Sequence, residues 1–141
     1  MMGRMSMPRL AFAICIAAIF MSVLSADDAS IARGKYLVDE VAKCGMCHTP
    51  TDETVKPDTS KYLKGGTLNL QPIQPVEGWH KTAPDITSTS RLWQRWGDAG
   101  FVKFLETAAG PTGNHAGSPM PAYKLSHEDA QAIADYLKSL K

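Results

Sequence analysis

Cys44, Cys47 and His48 stand in the run Cys-Gly-Met-Cys-His, two thiols three residues apart with an imidazole directly after the second. A Cys-x-x-Cys-His run is the attachment signature of a c-type haem: each thiol can close a thioether to a haem vinyl group, and the imidazole nitrogen reaches the iron. The same thiols have three other uses: a disulfide, a redox dithiol, or half of a zinc site. Zinc needs two further good ligands, and His48, His80, His115 and His127 stand at no paired spacing with another His or Cys. A thioredoxin-like dithiol expects a βαβ context, which this Pro-rich chain of helical periodicity does not offer. Covalent haem is therefore the expected use, and the absence of a second Cys-x-x-Cys-His predicts one haem.

The iron's second axial position needs its own donor. Met120 lies between Pro119 and Pro121 in a loop separating two helical stretches. Met normally fills gaps in a core, but a proline-flanked loop is better suited to aiming a thioether than to helix packing. His115, in the stretch Gly113 to Gly117, is the substitute candidate; His127 reads as a first-turn helix residue and His80 as loop surface. Iron held by His48 and Met120 has no open position, so it exchanges electrons and does not activate a substrate. Met/His ligation also raises the reduction potential, which suits an acceptor from a dehydrogenase and a donor to an oxidase. The alternative is a five-coordinate haem enzyme or gas sensor in which Met120 does not bind.

These residues follow a leader. Arg4 and Arg9 precede an apolar run from Leu10 to Leu24, small residues Ser25 and Ala26, and then Asp27-Asp28. This is the pattern of a secretory signal. The run is shorter than the roughly 20 residues that span a bilayer. Residues 1–25 are therefore expected to be a cleaved signal and 26–141 a mono-haem domain, with an uncleaved anchor as the other reading. Export to a periplasm agrees with the chemistry, since haem attachment proceeds outside the cytoplasm. Beyond the leader only Cys44, Cys47, Met46 and Met120 remain of their types, and loss of Arg4 and Arg9 takes the 15 basic residues to 13 against 14 acidic, a formal charge of −1. With no basic run or basic patch interleaved with aromatics, nucleic acid is not an expected partner. A membrane is expected only through partners or an uncleaved leader.

About 115 residues make one ordinary domain. The elements that must position the ligands can be read from periodicity. Ile31, Leu37, Val38 and Val41 predict a helix from Ser30, its N-cap, to Lys43, ending at Cys44. Residues 49–90 carry five prolines and three glycines and read as a long irregular segment, with partner specificity expected in 51–90. A second helix is expected from Asp98 to Ala108 or Ala109, burying Phe101, Val102, Phe104 and Leu105 and stopped by Gly110-Pro111. Ser126, followed by His127-Glu128-Asp129, caps a last helix with Ala130, Ile133, Ala134, Leu137 and Leu140 inward. No strand is expected, so the class is all-α.

In this order, the helix ahead of Cys44-Gly45-Met46-Cys47-His48, the long loop, Trp96-Gly97-Asp98, Met120-Pro121-Ala122-Tyr123 and Ala134-Asp135-Tyr136-Leu137-Lys138 resemble a class I cytochrome c over essentially the whole mature chain. Gly34-Lys35-Tyr36-Leu37, Cys47-His48-Thr49-Pro50, Leu63-Lys64-Gly65-Gly66 and Pro84-Asp85-Ile86-Thr87 are similar to cytochrome c domains of periplasmic alcohol and gluconate dehydrogenase complexes. The resemblance implies three or more helices around one covalent haem. It implies that the first and last helices cross at right angles, with Gly34 permitting close approach and Tyr36 or Leu37 packing on Tyr136 and Leu137. It implies that Trp96 hydrogen-bonds a haem propionate, with Arg91, Arg95 and Trp79 as substitutes. It further implies that a carbonyl of Pro50, Pro57 or Pro84 orients His48, and that the partners are redox proteins: a dehydrogenase donor and a cytochrome or oxidase acceptor.

Overall fold

A computed structural model describes residues 27–140; the expected leader lies outside the described residues. Helix α1 occupies residues 27–36 and continues into a π-helical turn, Leu37–Val41. Ser30 is not the N-cap: it lies inside α1, and its hydroxyl donates to Asp135 at 2.7 Å. The helix does end at the attachment run. The Ala42 N–H bonds the Leu37 carbonyl at 2.8 Å, Lys43 turns left-handed at φ 52°, and the Cys44 N–H reaches back to Val38 at 3.0 Å. This resembles a Schellman ending made one residue wider by the π turn. Such turns concentrate at functional sites.

Helix α2, Gly45–His48, is a single turn whose Cys47 and His48 N–H groups both bond the Cys44 carbonyl, at 3.2 and 2.9 Å. The segment that follows is largely irregular, as expected, with a 3₁₀ turn at Thr59–Lys61 capped by Asp58. It also holds a small antiparallel ladder that was not expected. Strand β1, Gly66–Thr67, pairs with β2, Thr82–Ala83, in the register Gly66↔Ala83 and Thr67↔Thr82. Strands of two residues show no alternation for a pattern to reveal.

Helix α3 spans Arg91–Thr107, starting seven residues before the expected Asp98. Ser90 caps it, accepting from the Trp93 N–H at 3.1 Å. Gly97 is non-helical, at φ 62° and ψ −178°, a conformation that glycine adopts without the Cβ penalty. The expected element is thus the second of two segments. The Trp93 indole donates to Asp98 across this break at 2.9 Å. The helix stops at left-handed Ala108, two residues before Gly110.

Helix α4, His127–Ser139, starts as read, with Ser126 Oγ accepting from the Asp129 N–H at 3.2 Å. The core joins Leu37 and Val38 of the π turn, Leu63 and Ile86 of the long segment, Phe101, Val102, Phe104 and Leu105 of α3, and Ile133, Ala134, Tyr136 and Leu137 of α4. Of the two residues offered for the α1–α4 contact, Leu37 is buried and Tyr36 is half exposed. The described residues thus form four helices and one two-stranded ladder, a mostly helical domain as expected.

Candidate functional site

His48 is buried, with 5% of its surface exposed. Its Nδ1–H donates to the Pro84 carbonyl at 2.8 Å, which selects Pro84 from the three prolines. A ring that donates from Nδ1 is the tautomer with a free lone pair on Nε2. Burial lowers the His48 pKa, outweighing the Pro84 bond that raises it. The imidazole is therefore held neutral and oriented, the form that binds a metal.

Two neighbouring stretches make that contact possible. The Gly65 N–H donates to the His48 carbonyl at 2.6 Å, and the Leu63 N–H to Thr49 Oγ1 at 3.1 Å. Gly65 sits at φ +75°, and a Cβ there would lie 2.6 Å from each of Ala83 O, Pro84 C and Asp85 N. The Ile86 N–H bonds the Leu63 carbonyl at 3.1 Å, and Asp85 Oδ1 accepts from both the N–H and the hydroxyl of Thr87. The runs Leu63-Lys64-Gly65-Gly66 and Pro84-Asp85-Ile86-Thr87 are thus two sides of one clamp on His48.

Cys44 and Cys47 are half-buried free thiols. Burial pushes the Cys44 thiol up to about 11. Activated redox dithiols depend on a lowered thiol pKa, so this environment favours a neutral thiol over a thiolate couple. Tyr62 closes one side: its ring lies against Gly45, and its hydroxyl donates to Asp39 on the π turn, which also pairs with Lys35. Nothing in the local sequence marks Tyr62 or Asp39 for this role. Among the described residues no group of three or more His, Cys, Asp or Glu is placed to hold a metal ion.

Met120 is half-buried and packs against the hydrophobic core. The chain leaving it is tied to the attachment run, because the Tyr123 hydroxyl donates to the Ala42 carbonyl at 3.2 Å. The Tyr123 phenol pKa is raised by burial first, and then by the nearby Cys44 and Cys47. Leu125 N–H bonds the Leu105 carbonyl at 3.0 Å, fixing the loop onto α3. Met120's loop and the two thiols therefore share one side of the molecule. Of the other histidines, His115 Nδ1 bonds Ala108 O at 2.9 Å, beside the end of α3, and His127 pairs with Glu106 at 2.7 Å.

Trp96 ends the first segment of α3, before Gly97. It is half-buried, tilted against Phe104 with centroids 5.3 Å apart. The indole committed within the protein is that of Trp93, which stacks on Phe101 at 4.4 Å. An oriented neutral imidazole, two half-buried free thiols on one turn and a half-buried thioether on the same core are a donor set that fits a covalently attached haem.

Residues 31–141 match the family model for cytochrome c. The chain is 33% identical over 114 residues to the fructose dehydrogenase cytochrome subunit of Gluconobacter japonicus, covering 77% of this chain and 21% of that one. It is 34% identical over 111 residues to a diheme cytochrome c-type protein of Cereibacter sphaeroides, with coverages of 75% and 34%. It is 31% identical over 126 residues to the gluconate 2-dehydrogenase cytochrome c subunit of Pantoea cypripedii, with coverages of 81% and 27%. The chain thus spans about a fifth to a third of the length of these curated relatives.

Proposed function

The chain belongs to the cytochrome c family, and from that premise we propose that it is an electron-transfer protein holding one haem c through Cys44 and Cys47, with His48 and Met120 as axial ligands. Haem c so held supplies an iron that takes up and returns one electron. The observation that carries the reading is the 2.8 Å bond from His48 Nδ1–H to the Pro84 carbonyl. It leaves Nε2 as the donor and prevents the ring from turning. Met120 supplies a neutral, polarisable sulfur. With His48 and Met120 both holding the iron, a bound haem would offer substrate no free position, and the chemistry it would supply is electron carriage. Trp96 offers its indole N–H to a propionate, as a partly buried indole needs an acceptor.

Relatives that are cytochrome subunits of fructose and gluconate dehydrogenases support a dehydrogenase as electron donor, and the acceptor we propose is a cytochrome or oxidase. A periplasmic location follows from the leader pattern of residues 1–25. Among the described residues no helix is long and apolar enough to cross a membrane.

The test is the optical spectrum of the purified holoprotein, oxidised and reduced, before and after Met120→Ala, with the mass of the attached group. A mass gain of one haem is expected, with a near-infrared charge-transfer band in the oxidised wild type that the substitution abolishes. A high-spin wild type that binds carbon monoxide would instead establish an open iron and the enzyme or sensor reading.

A further inference from the structure

The turn that carries Met120 is closed by its own N–H, which bonds the Gly117 carbonyl at 3.1 Å. The outer side of this turn is backed by a distant piece of chain. His80 N–H donates to the Ser118 carbonyl at 2.7 Å. A Cβ on Gly117 would lie 2.3 Å from His80 Cδ2, 2.4 Å from its Nε2 and 2.5 Å from the Gly78 carbonyl oxygen. The exposed His80 ring thus lies against Gly117, and a Cβ there would need the ring and the Gly78 backbone to move.

Four residues beyond His80 stands Pro84, whose carbonyl holds His48. Between them β2 pairs with β1, and Leu68 N–H adds a bond to the Lys81 carbonyl at 2.8 Å. Directly before β1, Gly65 donates to the His48 carbonyl. A single run, residues 78–84, therefore touches the Met120 turn at one end and His48 at the other, and the ladder stops it sliding.

We propose that residues 78–84 act as a strap that sets the position of Met120 relative to His48, with His80 and Gly117 as its positioning contact. The strap determines how readily the Met120 thioether is displaced by an incoming nitrogen ligand. The proposal rests on Met120 being an axial donor. A thioether is a weak, uncharged donor, and a turn held at two ends keeps it close to where it binds. Loosening the turn raises the population in which the sulfur has moved away, and a competing ligand's apparent affinity rises with that population.

The test compares ferric holoprotein of the wild type with Gly117→Ala, His80→Ala and, as a control in the same loop, Thr112→Ala. The readouts are the near-infrared band, binding of added imidazole and the midpoint potential. Gly117→Ala is expected to tighten imidazole binding by about tenfold or more and to lower the potential, and His80→Ala to tighten it by about threefold, with Thr112→Ala unchanged. If Gly117→Ala gives no holoprotein, His80→Ala decides alone, since it keeps every backbone bond of the strap. A wild type that shows the band while both variants bind imidazole as it does would overturn the strap. A wild type without the band would overturn Met120 ligation itself, and the strap with it.

Discussion

Gly34 on α1 crosses Ala132 on α4 so closely that a Cβ on Gly34 would lie 1.9 Å from the Ala132 carbonyl oxygen. The crossing is bracketed by Ser30 bonding Asp135 at 2.7 Å and Arg33 gripping Asp129 through Nε at 2.9 Å. Because the obstacle is backbone, a side chain cannot swing aside to relieve it.

Gly34→Ala is therefore expected to destabilise the domain by about 3 kcal/mol, the upper end of ordinary overpacking. Denaturant unfolding of the two proteins measures it; a loss under about 0.5 kcal/mol, the level of a surface substitution, would mean the helices can separate without cost.

Leu63 is fully buried and joins the long segment to the core, with its N–H on Thr49 and its carbonyl accepting from Ile86. Leu63→Ala should cost about 2–5 kcal/mol, as for other buried leucines. Since Leu63 stands at φ 60°, Leu63→Gly relieves backbone strain while losing the same side chain, and it should lie no lower than the Ala variant. Unfolding midpoints of the pair check both statements.

Gly65→Ala places a methyl group against three backbone atoms at 2.6 Å, all in the stretch that carries Pro84 to His48. The expected outcome is loss of most covalently haem-bearing protein, read as haem absorbance per mole of chain after expression with haem-attachment machinery. Normal yield from this variant would show that the Pro84 contact is not needed to present His48.

Asp98 accepts from Lys138 and from the Trp93 indole, which together hold its carboxyl below the ordinary carboxylate range. A group whose native pKa is depressed stabilises the fold above its unfolded pKa, about 3.9 for Asp, and that contribution disappears as pH falls through the native value. Both partners of the ion pair are half exposed, so the effect is small. Asp98→Asn should cost under about 1 kcal/mol at neutral pH, and the difference from wild type should shrink below pH 4. A difference that persists unchanged at pH 3 would assign it to packing.

What could be read from the sequence was what the chain encodes locally. The Cys44 to His48 run and the Ser126 cap each lie within a few consecutive residues, and both stand where expected. The helix expected from near Asp98 is present, but the segment before Gly97 carries no readable start: Ser90 has no acid three residues later, and a glycine between two short stretches reads as an end. Ser30 has the chemistry of a cap, yet its hydroxyl is used 105 residues away by Asp135. The choice of Pro84 over Pro50 and Pro57, and the Tyr62–Asp39 contact behind Gly45, depend on tertiary placement that no spacing records. Trp93 and Trp96 lie three residues apart on one segment, and only the position of Asp98 separates their roles.

The contact between Gly34 and Ala132 joins residues 98 positions apart, a closure whose entropic cost is on the order of 4 kcal/mol. It is also among the last to become available during synthesis. While the chain is being made, Cys44 and Cys47 exist long before residue 132 does, and the π turn after α1 meanwhile has no α4 surface to bury its Leu37 and Val38. Cys44 and Cys47 are thus part of the chain before α4 exists to close over the core beside them, so the attachment run is open before the fold encloses it.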